Sequence, residues 1–105
     1  MDNIKIKIEE LLKIIEKFIN YKIDTIEFKE IYENKYEELF LINEKAAINY
    51  IGEKMAYLFD DIHTEINFFE PYEKLRKEHK NYIDEKQLLN NVKIVYNKIK
   101  KKLPK

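Results

Sequence analysis

The residues of this chain best suited to chemistry lie together in Leu58-Phe59-Asp60-Asp61-Ile62-His63-Thr64-Glu65-Ile66-Asn67-Phe68-Phe69-Glu70-Pro71. Asp60, Asp61, Glu65 and Glu70 supply carboxylates, and His63 is one of the two imidazoles, His79 being the other. Three residues apart on a helix, Asp60 and His63 could form a general acid–base pair. The chain offers that pair no nucleophile elbow, phosphate loop or oxyanion nest to work with. His63 with Asp60 or Glu70 also falls short of a zinc site, because the HExxH and paired-Cys spacings are missing and catalytic zinc draws on several nitrogen or sulfur ligands. Without any Cys, disulfides, thiolate metal sites and Cys nucleophiles are excluded. The sequence indicates a protein that is not an enzyme and needs no metal or cofactor, with His63 an ordinary histidine on a helix surface.

Binding chemistry fits the stretch better. At about 100° per residue, Ala47, Ile51, Met55, Leu58, Ile62, Ile66 and Phe69 share one apolar arc that should face a core. Beside that arc lie Tyr57, Asp61, Glu65 and Phe68, two rings and two carboxylates on one strip of helix. Asp61 and Glu65 are like charges four residues apart, which costs a helix about 0.2–0.5 kcal/mol. Folding does not need them, so the expected partner-binding surface is Tyr57, Asp60, Asp61, Thr64, Glu65 and Phe68, the rings serving as anchors beside the carboxylates. The competing arrangement pairs Asp61 and Glu65 with Lys93 or Lys100 near the end of the chain, as ordinary surface bridges.

The elements that must position this strip can be followed along the chain. Asp2 or Asn3 can cap a first helix carrying Ile4, Ile8, Leu11, Leu12, Ile15, Phe18 and Ile19 at helical spacing and ending near Asn20. A short link then turns the chain back. Asp24 with Glu27 makes an acidic variant of the capping box, and Ile23 with Phe28 a hydrophobic staple. The second helix presents Phe28, Ile31, Tyr32, Tyr36, Leu39 and Phe40 and should run to about Ile42. Asn43 is a candidate cap for a third helix, the longest, which continues until Pro71 stops it. Residues 71–82 read as a long connection with room for one helical turn around Tyr72 to Lys77. The start signal then repeats, with Asp84 and Gln87 as box and Ile83 and Leu88 as staple. The last helix turns Leu88, Leu89, Val92, Val95, Tyr96 and Ile99 inward, and Leu103 and Pro104 close it. The fold class expected is all-α, an antiparallel four-helix bundle in a single domain over residues 1–105.

Composition agrees with helices, since one Gly and two Pro leave little material for tight turns. No apolar run approaches membrane-spanning length and no signal-peptide pattern is present, so the expectation is a soluble, cytoplasmic protein that binds no membrane. The formal net charge of zero conceals an acidic middle and a basic end: residues 24–73 hold four Lys against thirteen acids, and residues 74–105 eleven basic residues against three acids. Such a distribution steers a cationic partner towards the middle. Lys98, Lys100, Lys101 and Lys102 complement the negative end of their own helix dipole, and Tyr82 and Tyr96 read as core or core-edge residues. Direct nucleic-acid binding by the basic end is therefore the weaker reading.

Three segments carry a resemblance. Leu11 to Tyr32 runs as helix, hydrophilic turn, Ile23, the cap Asp24 and Glu27-Phe28; Leu58-Phe59-Asp60-Asp61-Ile62 and Ile83-Asp84-Glu85-Lys86-Gln87-Leu88 follow in order. Together they resemble the bacterial colicin D-type immunity proteins over nearly the whole chain. The resemblance implies a helical bundle that binds one cognate toxin nuclease, typically one cutting tRNA, and covers its active site. A nuclease site is cationic because it holds phosphates, so an acidic strip can occupy it as the substrate backbone does. The family often carries a second acidic residue where this chain has His63, so the resemblance carries over Asp61 and not a role for His63. A helical adaptor or regulatory module without a toxin partner is the alternative.

Overall fold

The computed structural model describes residues 2–103. Four long helices form the frame: α1 (Asp2–Ile19), α2 (Thr25–Glu37), α4 (Glu53–Phe68) and α6 (Glu85–Lys102). Between α2 and α4 lie a π-helical turn (Glu38–Ile42) and the short α3 (Glu44–Ile51), and between α4 and α6 a single turn, α5 (Glu73–Arg76). α1 and α4 each pack on both α2 and α6, so the long helices close a ring. Neighbours run antiparallel. Phe18 near the end of α1 stacks on Phe28 near the start of α2, and Lys7 pairs with Glu38. Glu65 of α4 meets Asn91 of α6, and Tyr96 of α6 reaches Glu16 of α1. The all-α bundle expected from the sequence is the fold, 45 × 25 × 21 Å in extent.

Local chemistry explains where the helices begin and turn. Asp24 accepts the backbone N–H of Glu27 at 2.8 Å, and Asp84 forms the full box, accepting Gln87 N–H at 2.8 Å while its own N–H donates to Gln87 Oε1 at 2.9 Å. α1 ends through Lys22 N–H to Lys17 C=O and Tyr21 N–H to Phe18 C=O, the paired bonds of a Schellman motif. Tyr21 holds the left-handed position at φ 60°, where glycine is the usual occupant. Of the two candidate caps for α1, Asn3 stands inside the helix, while the side chain of Asp2 and the residue Pro104 lie outside the described set.

The core is an aromatic row flanked by aliphatics. Phe28, Tyr32, Tyr36 and Phe40 follow one another at four-residue spacing, each ring in contact range of the next. Phe18 extends the row into α1 and Phe59 into α4. Ile8, Leu11, Ile14, Ile15, Ile62, Ile66, Leu88, Val92 and Ile99 close around it, all buried. Each such side chain contributes roughly 1.5–3 kcal/mol when fully buried.

Three expectations need correction. The third helix is broken: Gly52, the only glycine, has φ 86° and ψ 157°, separating α3 from α4. Hydrophobic periodicity continues across the break, which is why the sequence reads as one helix. Asn43 does sit at the cap position of α3, but its side chain turns back and its amide donates to Glu38 C=O at 2.8 Å, an acceptor in the π-helical turn. The inward arc of α4 is centred on Phe59, fully buried, and Leu58 is half-buried at its edge. α4 then ends at Phe68, three residues before Pro71. Residues 70–82 form the expected long connection, pinned at its base by Ile83 N–H to Phe68 C=O and Glu70 N–H to Ile83 C=O, both 2.9 Å.

Candidate functional site

α4 carries the strip, and the packing of α4 between α2 and α6 decides which of its polar residues stay available. Asp61, Thr64 and Glu65 face α6 and, with Asn91, Ile94 and Val95, line a shallow cleft of about 270 Å³. Asp61 and Thr64 are exposed. Glu65 is half-buried and accepts a hydrogen bond from Asn91 Nδ2, which holds its carboxylate at the cleft wall. Tyr57, one turn before Asp61, is 65% exposed. Phe68 is half-buried, so only part of its ring is offered as an anchor.

Asp60 belongs to a different seam. Although exposed, it is turned towards α2, where its Oδ1 accepts the Tyr36 hydroxyl at 2.6 Å. Burial above all, then that hydrogen bond and the charges of Asp60 and Glu44, push the Tyr36 hydroxyl well above the ordinary tyrosine range. Its neighbour Tyr32 donates to Phe59 C=O at 2.7 Å from full burial, which likewise raises its pKa. Of the six residues expected at the binding surface, the structure gathers Asp61, Thr64 and Glu65 at one cleft, leaves Tyr57 open on the same helix, withdraws part of Phe68, and ties Asp60 to the fold.

His63 is not an ordinary surface histidine. Its ring lies flat on Tyr36, centroids 4.4 Å apart and planes within 6°, and its Nδ1 is enclosed without a hydrogen-bond partner. On the other side of the ring Nε2 is 3.4 Å from Asn67 Nδ2. The acid–base and zinc groupings do not assemble, since Asp60 bonds Tyr36 and no cluster of three metal-ligating side chains occurs among the described residues.

The proposed pairing with α6 does not form either. α4 and α6 pack along their length, yet among the described residues no cation of α6 bridges Asp61 or Glu65; the ion pairs are Lys7–Glu38, Lys35–Glu10 and Lys77–Glu73. Lys93 instead lies over the Tyr21 ring at 5.7 Å and Lys100 over the Tyr96 ring at 5.8 Å. The Tyr96 hydroxyl donates to Glu16, and burial with that bond raises its pKa. Neither Lys93 nor Lys100 therefore neutralises the strip. An acidic cleft with an apolar wall remains, suited to a basic side chain that brings its own aliphatic stem.

Sequence reasoning missed the α6 half of the cleft. Asn91 and Ile94 lie off the inward face made by Leu88, Val92, Val95 and Ile99, and Ile94 is 55% exposed. An isoleucine outside its helix's core register was the available signal. In comparisons with protein-family models, curated proteins and solved structures, nothing matches this chain.

Proposed function

We propose that this chain is an immunity protein that binds a toxin nuclease, one that cleaves tRNA, and neutralises it by covering the cationic active site with the acidic face of α4. One observation carries the reading: Asp61 is exposed and, among the described residues, without an ion pair, and the two α6 lysines that could have paired with the strip by sequence, Lys93 and Lys100, lie over tyrosine rings instead. Unneutralised carboxylates beside an exposed aromatic and an exposed isoleucine have the make-up of a binding centre directed at a basic cleft. The resemblance to colicin D-type immunity proteins supports the same reading. In it the protein acts by binding alone, without catalysis or cofactor, in the cytoplasm where tRNA is the target.

Binding of a nuclease places a carboxylate where substrate phosphate would lie, so affinity should fall as salt rises. The test is Asp61→Lys, measured on one preparation for affinity to a tRNA-cleaving toxin nuclease domain that the parent protein binds and for unfolding free energy. A like charge against a cationic site costs several kcal/mol, so affinity should fall by at least about a hundredfold while stability changes by less than about 0.5 kcal/mol. Unchanged affinity with lowered stability would remove the interface from α4.

A further inference from the structure

Away from the acidic strip, a larger concavity lies between α1, the α3–α4 junction and the end of α6. It measures about 600 Å³ and is lined by Lys5, Ile8, Glu9, Leu12, Tyr50, Ile51, Met55, Lys102 and Leu103. The floor is wholly apolar: Ile8 and Met55 belong to the buried core, and Leu12, Ile51 and Leu103 are partly buried against it. Tyr50 stands at the wall, 52% exposed. Charge is confined to the rim, where Lys5, Glu9 and Lys102 are all exposed. Among the described residues none of the three is in an ion pair, so two cations face one anion across the opening.

These features restrict what can occupy the groove. Small-molecule pockets run to about 300–1,000 Å³ and are mostly apolar with a few polar groups that fix orientation. Apart from the Tyr50 hydroxyl, the described side chains lining this groove present no polar group other than the three rim charges. An occupant with polar atoms along its body would leave them unpaired, at the cost of their desolvation. The body must therefore be hydrocarbon, and the excess of lysine at the rim selects a negative head.

We propose that this groove binds one anionic amphiphile, a linear medium-chain alkanoate whose chain lies on Ile8, Leu12, Ile51 and Met55 and whose carboxylate is held by Lys5 and Lys102. No residue of this site belongs to the acidic strip, so the assignment stands or falls independently of the immunity reading.

Titration calorimetry of the full chain with octanoate, decanoate, decylamine and 1-decanol, all below their aggregation concentrations, tests it, with the Met55 methyl resonance marking the site. Decanoate should saturate at one per chain and shift the Met55 methyl. Each buried methylene is worth about fourfold, so decanoate should bind about fifteenfold tighter than octanoate. Decylamine and 1-decanol should bind at least about tenfold more weakly than decanoate at this site. The double variant Lys5→Glu/Lys102→Glu, altered only at exposed rim positions, should reverse the order of acid and amine. Equal affinity for acid and amine, indifference to the double charge reversal, or no saturable shift of Met55 would each overturn the assignment.

Discussion

Replacing Gly52 by alanine isolates the cost of one backbone conformation. At φ 86° and ψ 157° the residue occupies a region that is essentially confined to glycine. An added Cβ would meet no atom within 4 Å, so steric contact with neighbouring elements contributes nothing and the penalty is the torsional strain alone, about 1–3 kcal/mol. Removing a glycine from the unfolded chain returns about 0.4–1 kcal/mol. The expected net loss is about 1–2 kcal/mol, or a fall in Tm of about 5–9 °C for a chain of 105 residues. Urea unfolding followed by circular dichroism measures the first figure and a thermal scan the second, both at neutral pH with the parent protein alongside. An unchanged m-value is needed for the comparison to report stability alone. The reasoning fails if Gly52→Ala is as stable as the parent or more so, because alanine would then be favouring a continuous helix from Glu44 to Phe68 and the break between α3 and α4 would not be a property of the native state.

Other perturbations follow from the same contacts. Tyr32→Phe removes a buried hydroxyl that donates to Phe59 C=O and should lower unfolding free energy by about 0.5–1.5 kcal/mol by chemical denaturation. Tyr32, Tyr36 and Tyr96 all titrate higher in the folded state than in the unfolded one. The unfolded state therefore loses protons first, and stability that is complete below about pH 10 should decline as pH rises past it, by at most about 1.4 kcal/mol per pH unit for each tyrosine; stability that stays flat above pH 10 would contradict the buried hydroxyls. His63→Ala loses the stack on Tyr36 and should cost about 0.5–1.5 kcal/mol, whereas a change near zero would return His63 to the surface. Tyr21→Gly relieves a left-handed residue, worth roughly 1–2 kcal/mol, and gives up the Lys93 contact, worth about 0.5–1 kcal/mol at an exposed site. A new glycine also frees the unfolded chain by about 0.4–1 kcal/mol, so the three terms nearly cancel and Tm should change by no more than a few degrees; a large loss would mean that the cation over the ring outweighs the strain.

What could be read from the sequence was set by interactions between residues close in the chain. Asp24 and Asp84 bond N–H groups three residues on, so their helix starts are visible without the fold. The same holds for the core faces of α1, α2 and α6, where Ile14 is the one buried apolar position on α1 that the spacing passed over. Gly52 was hidden because the apolar arc from Ala47 to Phe69 keeps helical spacing on both sides of it, and only its identity as the sole glycine marked the break. The widening of α2 into a π turn at Glu38–Ile42 left no mark in the pattern, which depends on side-chain spacing and not on which carbonyl each N–H reaches. At the candidate site, the placing of Asp61 and Glu65 together on one face of a helix was legible from their four-residue spacing. The loss of Asp60 to Tyr36 and the gain of Asn91 and Ile94 were not, because both depend on how α4 sits between helices distant in sequence.

The clamp at the base of residues 70–82 separates the length of that segment from the geometry of the bundle. Two backbone hydrogen bonds between Phe68, Glu70 and Ile83, together with Arg76 Nη1 to Glu70 C=O at 2.7 Å, fix where the chain leaves α4 and where it enters α6. From Pro71 to Asn81 every residue but Arg76 is exposed, so little of the core depends on what the segment contains. Doubling such a loop adds only about 0.6 kcal/mol of closure entropy. Insertions or a fluorescent label between Lys77 and Asn81 can therefore be absorbed with the α4–α6 register kept, so the length of this segment can change without changing how the two helices meet.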